Sequence, residues 1–328
     1  MIVTLTVNPA LDRTIDLDSP LAPGSVHRAS SSREDAAGKG VNVARVLHAS
    51  GAETSAVLPL AADDPYAALL DGAGAIRAVP TSAHARVNIT LTDGAGETTK
   101  INLAGGQPDE AVLTALVDAT VEAADGASWL AICGSLPAGV PADYYARVVR
   151  AVRERAARPP RIALDASGAA LVAVLSAGPE IGPVDLIKPN EDELVEALVE
   201  LDPSRDSEEL LRAVAADPAG ETVRLARELV PHRARAALVT LGGDGAVLIG
   251  GEGAWQAGIP ADVRVRSTVG AGDSSLAGFL LAATAQADAG ECLRTAVRYG
   301  SATASLPGTA LATPADLPTG DIPVRALV

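Results

Sequence analysis

The sequence predicts an α/β fold with a mostly parallel sheet and a small β-lid set against it. Three observations carry this. Short β-branched runs alternate with Ala/Leu-rich helical stretches, the rhythm of βαβ units. Glycine turns fall where a strand gives way to a helix, at Gly38–Gly40 and Gly270–Gly272. Two stretches, 12–29 and 85–102, instead alternate polar and apolar residues, the mark of strands with one wet face.

The elements follow in order. Ile2–Val7 reads as the first strand, and Gly40–Ser50 as a helix stopped by Gly51. Thr54–Leu60 is a strand and Pro65–Gly72 a helix. Asp93-Gly94-Ala95-Gly96 turns between two strands of the lid. Pro108–Ala123 leads as a helix into the apolar strand Ser128–Cys133. Pro141–Ala157 opens on a helix-favouring proline and precedes the strand Arg161–Asp165. Val184–Lys188 is a strand, Asn190–Glu200 a helix, and Ala236–Leu241 a strand. Between them, 202–221 is polar and rich in Asp, Glu and Pro, which predicts a surface excursion with one short helix. Ala246–Ile249, Ala254–Gln256 and Val263–Arg266 predict a small antiparallel ending. Ala271–Gln286 and Glu291–Ser305 are the last helices, and the proline-rich residues after Thr313 read as a loosely attached tail. The whole chain, 1–328, reads as one domain, with the lid at about 12–34 and 84–103.

Bulk properties exclude several classes. The net charge is −15 without a basic stripe, and aromatics are only 2%, so neither phosphate tracking nor base stacking on nucleic acid is provided for. Two cysteines, Cys133 and Cys292, make no disulfide framework and read as small buried hydrophobes in a reducing compartment. The four histidines lie far apart, without zinc-ligand spacing. The N-terminus lacks the basic start of a secretion signal, and the longest apolar stretch, near Leu276–Ala285, is short of the ~20 residues of a membrane span. A cytoplasmic protein without membrane partners is expected.

Four motifs carry the chemistry. In Ser267-Thr268-Val269-Gly270-Ala271-Gly272-Asp273-Ser274, a glycine turn opens a long helix, where free amides and the helix dipole favour an anion. Asp273 beside that hole can take a proton from an attacking hydroxyl. An ordinary glycine turn with Asp273 as a helix-start charge fits that motif alone equally well. Ala37-Gly38-Lys39-Gly40-Val41-Asn42 is a second such start, with a point charge for phosphate in Lys39 and a polyol partner in Asn42. Asp12 follows the first strand, where it can accept from a polyol or simply face water. Lys188-Pro189-Asn190-Glu191-Asp192-Glu193 stands at the carboxyl end of a strand, where ligands bind in open α/β sheets. Asn190 and Glu193 share a helical face and can hold waters around Mg²⁺, or serve only as an acidic helix start. Thr240-Leu241-Gly242-Gly243-Asp244-Gly245 is a glycine turn that suits nucleotide phosphates or a plain hairpin. No Walker A motif exists, because Gly38-Lys39 is followed by Gly40, and G-x-G-x-x-G is not completed at Gly270.

In this order the motifs resemble the ribokinase-like (PfkB) family of sugar kinases over nearly the whole chain. Asn8-Pro9-Ala10-Leu11-Asp12, Gly134-Ser135-Leu136-Pro137 and Asp165-Ala166-Ser167-Gly168 extend the likeness. The set is most similar to the branch that holds bacterial 1-phosphofructokinases beside tagatose-6-phosphate and minor 6-phosphofructokinases. The resemblance implies a three-layer α/β/α core with a β-lid, ATP and Mg²⁺ as cofactors, a sugar-phosphate substrate and a homodimer paired through the lid. It makes Asp273 the catalytic base and Gly270, Ala271 and Gly272 the anion hole. It gives the ATP site to Lys188, Asn190, Thr240, Gly242, Gly243, Gly245, Ala302 and Ser305, with Asn190 and Glu193 placing Mg²⁺. It gives the sugar phosphate to Asp12, Gly38, Lys39, Asn42, Arg86, Asn88, Lys100 and Ser135. Ser25 stands where some relatives carry a basic lid residue.

The activity implied is phosphorylation of fructose 1-phosphate to fructose 1,6-bisphosphate. Tagatose 6-phosphate and fructose 6-phosphate are the alternative acceptors, and Lys39 favours the first two over the third. A sugar-phosphate-binding regulator without catalysis is the rival of another class, disfavoured by Asp273, the anion hole and Asn190/Glu193 standing together. A nucleoside kinase is disfavoured by the basic lid residues.

Overall fold

The computed structural model describes residues 1–95, 97–177 and 180–327. The chain opens on β1 (Ile2–Thr6), all five residues of which are buried. β2 (Ala10–Leu17) and β3 (Ala29–Ala37) then run out as an antiparallel pair, and α1 (Lys39–Ala49) returns to the core. β4 (Thr54–Leu60) and β5 (Ala75–Pro80) follow, then β6 (Arg86–Thr92) and β7 (Thr98–Asn102). Next come α2 (Glu110–Ala124), β8 (Trp129–Cys133), α3 (Tyr144–Arg155), β9 (Arg161–Asp165), α4 (Gly168–Ser176) and β10 (Leu186–Ile187). α5 (Glu191–Leu201), α6 (Ser207–Ala216), α7 (Pro218–Ala226), β11 (Ala236–Thr240), β12 (Ala246–Gly250) and β13 (Gly253–Ala257) continue the chain. α8 (Ala271–Thr284), α9 (Ala289–Ala304) and β14 (Val324–Leu327) complete it.

The main sheet has the order β14-β13-β12-β11-β10-β9-β8-β1-β4-β5. From β11 to β5 the neighbours are parallel, and β12, β13 and β14 add antiparallel strands at one edge. Alternation along the strands divides the core in two. Leu130, Ile132, Ile162 and Leu164 point to the layer of α2, α3, α4, α5 and α7. Trp129, Ala131, Cys133 and Ala163 point to the layer of α1, α8 and α9. Helices therefore cover both faces, as a buried parallel sheet requires.

β2, β3, β6 and β7 form a separate four-stranded sheet in the order β3-β2-β6-β7. Period-two geometry gives it two faces. Asp12 and Thr14, Arg33 and Asp35, Arg86, Asn88 and Thr90, and Lys100 share one face by register. Ile15, Ile89, Leu91 and Ile101 share the other. The polar face is tied to the core at the end of α9: Arg33 Nη2 donates to Thr309 Oγ1 (2.8 Å), and that hydroxyl donates to Asp35 Oδ2 (2.6 Å). The turn foreseen at 93–96 is closed by Asp93, whose Oδ1 accepts from the Ala95 and Glu97 amides, while Gly96 lies outside the described residues.

Four expectations are corrected. Pro65–Gly72 is a single 3₁₀ turn, Pro65–Leu69. The polar stretch 202–221 holds α6 and the start of α7, because its Asp and Pro residues are helix starts: Asp206 caps Glu208 and Glu209, and Asp217 caps Gly220 with Pro218 at the first position. Val263–Arg266 is not a strand, since the Arg266 amide bonds the Ala304 carbonyl at the end of α9 rather than a neighbouring strand. The C-terminal segment is not loose: Ile322 is fully buried, Arg294 Nε holds its carbonyl at 3.1 Å, and β14 pairs with β13.

Candidate active site

The site forms where the parallel strands end and α1, α5 and α8 begin. α8 starts from Gly270, whose φ of 75° is the left-handed region that glycine tolerates. A Cβ there would also stand 2.7 Å from Leu311 Cδ2. The Ala271 amide turns back to the Thr268 carbonyl (3.3 Å), so the next amides, of Gly272 and Asp273, are those at the helix start without an intrahelical acceptor. A Cβ on Gly272 would meet Lys188 Nζ at 3.3 Å, so that ammonium lies against the anion hole. Gly38 opens α1 with φ of 112°, and its Cβ would fall 2.9 Å from Thr6 Cγ2.

Asp273 is buried beside the hole, and Asn42 Nδ2 on α1 donates to its Oδ2 at 2.8 Å. Burial, reinforced by the negative charge of Asp165, pushes its carboxyl up to about 6 against the opposing pull of Lys39, Asn42 and Lys188. A carboxylate tuned in that direction is a stronger base near neutrality than an ordinary one.

Asp165 sits at the end of β9 with no exposed surface. Lys39 Nζ donates to its Oδ1 at 2.8 Å, and Lys188 Nζ lies 3.2 Å from Oδ2. Burial alone would raise this carboxyl, but the two ammonium groups outweigh it and hold it below the usual carboxylate range. Lys39 is correspondingly held above the usual lysine range: burial opposes its charge, and Asp165, Asp273 and Glu193 more than compensate. Asp165 was visible in the sequence as an acid closing an apolar strand, yet only the fold reveals that it organises both lysines.

Asn190 and Glu193 form a reciprocal cap on α5. Asn190 Oδ1 accepts from the Glu193 amide (2.7 Å) and Glu193 Oε2 accepts from the Asn190 amide (3.0 Å). Glu193 Oε1 is left facing Lys39 Nζ at 3.9 Å. One fixed carboxylate and one amide, both oxygen donors at a helix start, fit a Mg²⁺ that keeps most of its waters.

A cavity of about 530 Å³ joins these groups. Lys39, Lys188, Asn190, Glu193, Thr240, Gly242, Gly243, Gly245 and Gly270–Asp273 line it. Asn190 and Thr240 are bridged across neighbouring strand ends. Gly245, with φ of 88°, leaves no room for a Cβ, which would stand 2.0 Å from the Ala257 carbonyl. Ala302 and Ser305 are not brought to this cavity. Ala302 is packed in the core and Ser305 Oγ bonds the Ala302 carbonyl, whereas Gly300, Ser301 and Ala304 face the space. The face of α9 is rotated by one residue from the sequence reading.

The second group of candidates belongs to the four-stranded sheet. Asn88 Nδ2 donates to Asp12 Oδ1 (2.7 Å), and burial raises the Asp12 carboxyl, opposed by that bond and by Arg86. Arg86 Nε is buried without an acceptor among the described residues. Lys100 lines a cavity of about 590 Å³ between the polar face and residues 265–269, and Val265 and Thr268 wall both cavities. Ser135 is exposed at the end of β8, with Asn8 Nδ2 at 3.5 Å from its hydroxyl.

The model of the pfkB family carbohydrate kinases matches residues 6–316. The 1-phosphofructokinase of Xanthomonas campestris is 34% identical over 309 residues, covering 90% of this chain and 89% of that protein. The 1-phosphofructokinase of Rhodobacter capsulatus is 35% identical over 303 residues, covering 91% and 88%. Among solved structures, phosphofructokinase-2 from Escherichia coli in complex with potassium superposes with a TM-score of 0.83 at 29% identity, covering 96% of both chains. A match over almost the full length, with the family's glycine turns shaping one cavity around Asp273, places this chain in the pfkB family of carbohydrate kinases.

Proposed function

We propose that the protein transfers the γ-phosphoryl group of ATP to fructose 1-phosphate, giving fructose 1,6-bisphosphate. The observation that carries the reading is Asp273: buried, raised, aimed by Asn42, and one residue past a glycine anion hole. The similarity to 1-phosphofructokinases supports the acceptor.

In this reading the triphosphate runs along Thr240, Gly242, Gly243 and Gly245, with its terminal phosphoryl at the Gly272 and Asp273 amides. Asn190 and Glu193 would hold Mg²⁺, which would supply neutralisation of the phosphate charge. Lys188, pinned by Asp165 against the hole, stabilises charge on the transferring group. Asp12 and Asn88 hold sugar hydroxyls, and Arg86, Lys39 and Lys100 receive the substrate phosphate. The four-stranded sheet acts as a lid that keeps water out. Asp273 takes the proton of the acceptor hydroxyl as its oxygen bonds the γ-phosphorus and the bond to ADP breaks.

The half-exposed stripe Ile15, Ile89, Leu91 and Ile101 on the outer face of that sheet supports a homodimer through the lid. Two buried free cysteines fit a reducing cytoplasm, and among the described residues no helix is long and apolar enough to cross a membrane.

The test is an ADP-release assay with fructose 1-phosphate, fructose 6-phosphate, tagatose 6-phosphate, fructose, ribose and adenosine. The highest kcat/KM with fructose 1-phosphate is expected. A preference for another phosphosugar overturns the acceptor alone, and silence across the panel overturns the kinase reading. Light scattering tests the dimer, which a wild-type monomer refutes.

A further inference from the structure

A third cavity, of about 520 Å³, lies at the opposite edge of the main sheet, where the parallel strands begin. Trp129 and Arg161, the first residues of β8 and β9, line it with Arg235, Trp255, Phe279 and Cys292. α8 runs from the anion hole to this cavity over 14 residues, so about 20 Å of helix separates the two. The chain has two Trp and one Phe, and all three are here. In so aromatic-poor a sequence that concentration marks a place built for a flat apolar surface.

The polar groups point to an anion. The Arg161 guanidinium lies 4.3 Å over the Trp129 ring, and Phe279 meets that ring edge-on with centroids 6.3 Å apart. Arg161 Nη2 donates to the Ala283 carbonyl (3.1 Å), and among the described residues no carboxylate pairs with this guanidinium. The Trp129 indole N–H is buried and without an acceptor among the described residues, although buried donors are rarely left so. Of the acids lining the cavity, Asp185 is committed to the Ile162 amide (2.8 Å) and to Arg235 (3.4 Å), and Glu252 is exposed at the mouth.

We propose that this cavity is a ligand site for a planar aromatic molecule carrying one anionic group. Arg161 receives the anion, and the ring lies among Trp255, Phe279 and Leu248. The volume suits a small molecule of this kind. The site is separate from the catalytic cleft and does not depend on its chemistry.

Calorimetric titration of the purified protein with 2-naphthoate, AMP and inorganic phosphate tests this. Single-site binding of 2-naphthoate is expected, weakened about tenfold or more in Arg161→Gln, as for loss of a charge-assisted hydrogen bond. Gly251→Phe is the second variant: a Cβ there meets nothing within 4 Å, and the ring fills the mouth. Binding must be reduced in that variant too, and unchanged in Asp273→Asn. AMP binding that falls in Arg161→Gln but not in Asp273→Asn identifies a nucleotide as the source of the aromatic anion. Sensitivity of 2-naphthoate alone identifies an aromatic carboxylate. Absence of binding by both aromatic probes, binding indifferent to both cavity variants, or phosphate binding that falls in Arg161→Gln as 2-naphthoate binding does, overturns the proposal.

Discussion

Asp273→Asn separates the two consequences of burying a base. The carboxyl is raised from 3.8 to about 6, because the fold takes it out of water beside Asp165. At 1.36 kcal/mol per pH unit that difference is about 3 kcal/mol of folding stability given up to keep the group ionised. Asn is nearly isosteric, and its Oδ1 still accepts the Asn42 amide. The variant is therefore expected to be more stable than wild type at neutral pH, by at most about 3 kcal/mol, while kcat falls about 10²- to 10⁴-fold for want of a general base.

The sign follows from the two states. The unfolded carboxyl ionises near 3.8 and the folded one near 6, so the cost of ionising it is fully present above 6 and vanishes below 3.8. The advantage of Asn must shrink as pH falls through that interval. Urea denaturation of both proteins across it reads the stability, and the ADP-release assay reads kcat. Equal stability at neutral pH with activity lost refutes the burial argument. Retained turnover refutes the base. A stability gain that persists unchanged below 3.8 shows that it comes from packing rather than from charge.

Three further outcomes follow from the same geometry. Asp165→Asn leaves Lys188 buried without its ion-pair partner and is expected to cost about 3–5 kcal/mol in urea denaturation. With the neighbouring negative charge gone, the acid limb of its kcat/KM profile shifts to lower pH than wild type on the same substrates, and an unmoved limb counts against the coupling. Gly300→Ala puts a Cβ 2.1 Å from Ser275 Oγ and 3.2 Å from the Ala271 carbonyl, so about 1–3 kcal/mol of overpacking and a raised KM for ATP are expected, with normal values refuting the close approach of α9 to the first turn of α8. Glu193→Gln keeps an acceptor for the Asn190 amide but loses the charge, so the Mg²⁺ needed for half-maximal rate is expected to rise about tenfold or more with little change in melting temperature, and an unaltered requirement removes Glu193 from the metal site.

What was legible in the sequence was local. Gly270 and Gly245 declare backbone conformations that a side chain forbids, and Asn190 and Glu193 are a cap written in four residues. The alternation in 12–29 and 85–102 sufficed for the second sheet, because register follows from period two. What escaped needed a partner across the fold. One short helix was foreseen in 202–221, and that two begin there was hidden because capping residues have the composition of a loop. β14 was hidden because only β13 reveals what those last residues pair with. Ala302 and Ser305 were chosen one residue off the cleft-lining face, since a helix rotates about 100° per residue and nothing in its own sequence says which face meets Ser275.

Lys39 shows most clearly why position is not role. Beside a glycine turn it reads as a free phosphate anchor, but its ammonium is held by an acid 126 residues away. The cluster of Lys39 and Lys188 with Asp165, Asp273 and Glu193 sets two positive charges against three carboxylates. The net charge of that cluster is zero while Asp273 holds its proton and minus one when it has lost it. An anionic substrate therefore enters a site without spare positive charge in its floor. In the proposed reading the surplus comes with Mg²⁺ and from Arg86 and Lys100 of the second sheet. On this accounting Lys39 serves first to hold Asp165, and through it Lys188, in place, and phosphate recognition falls mainly to the second sheet. A Lys39→Gln variant that raises KM for sugar phosphate while sparing kcat contradicts that order of roles, because loss of the Asp165 contact must disturb Lys188 and the chemical step as well.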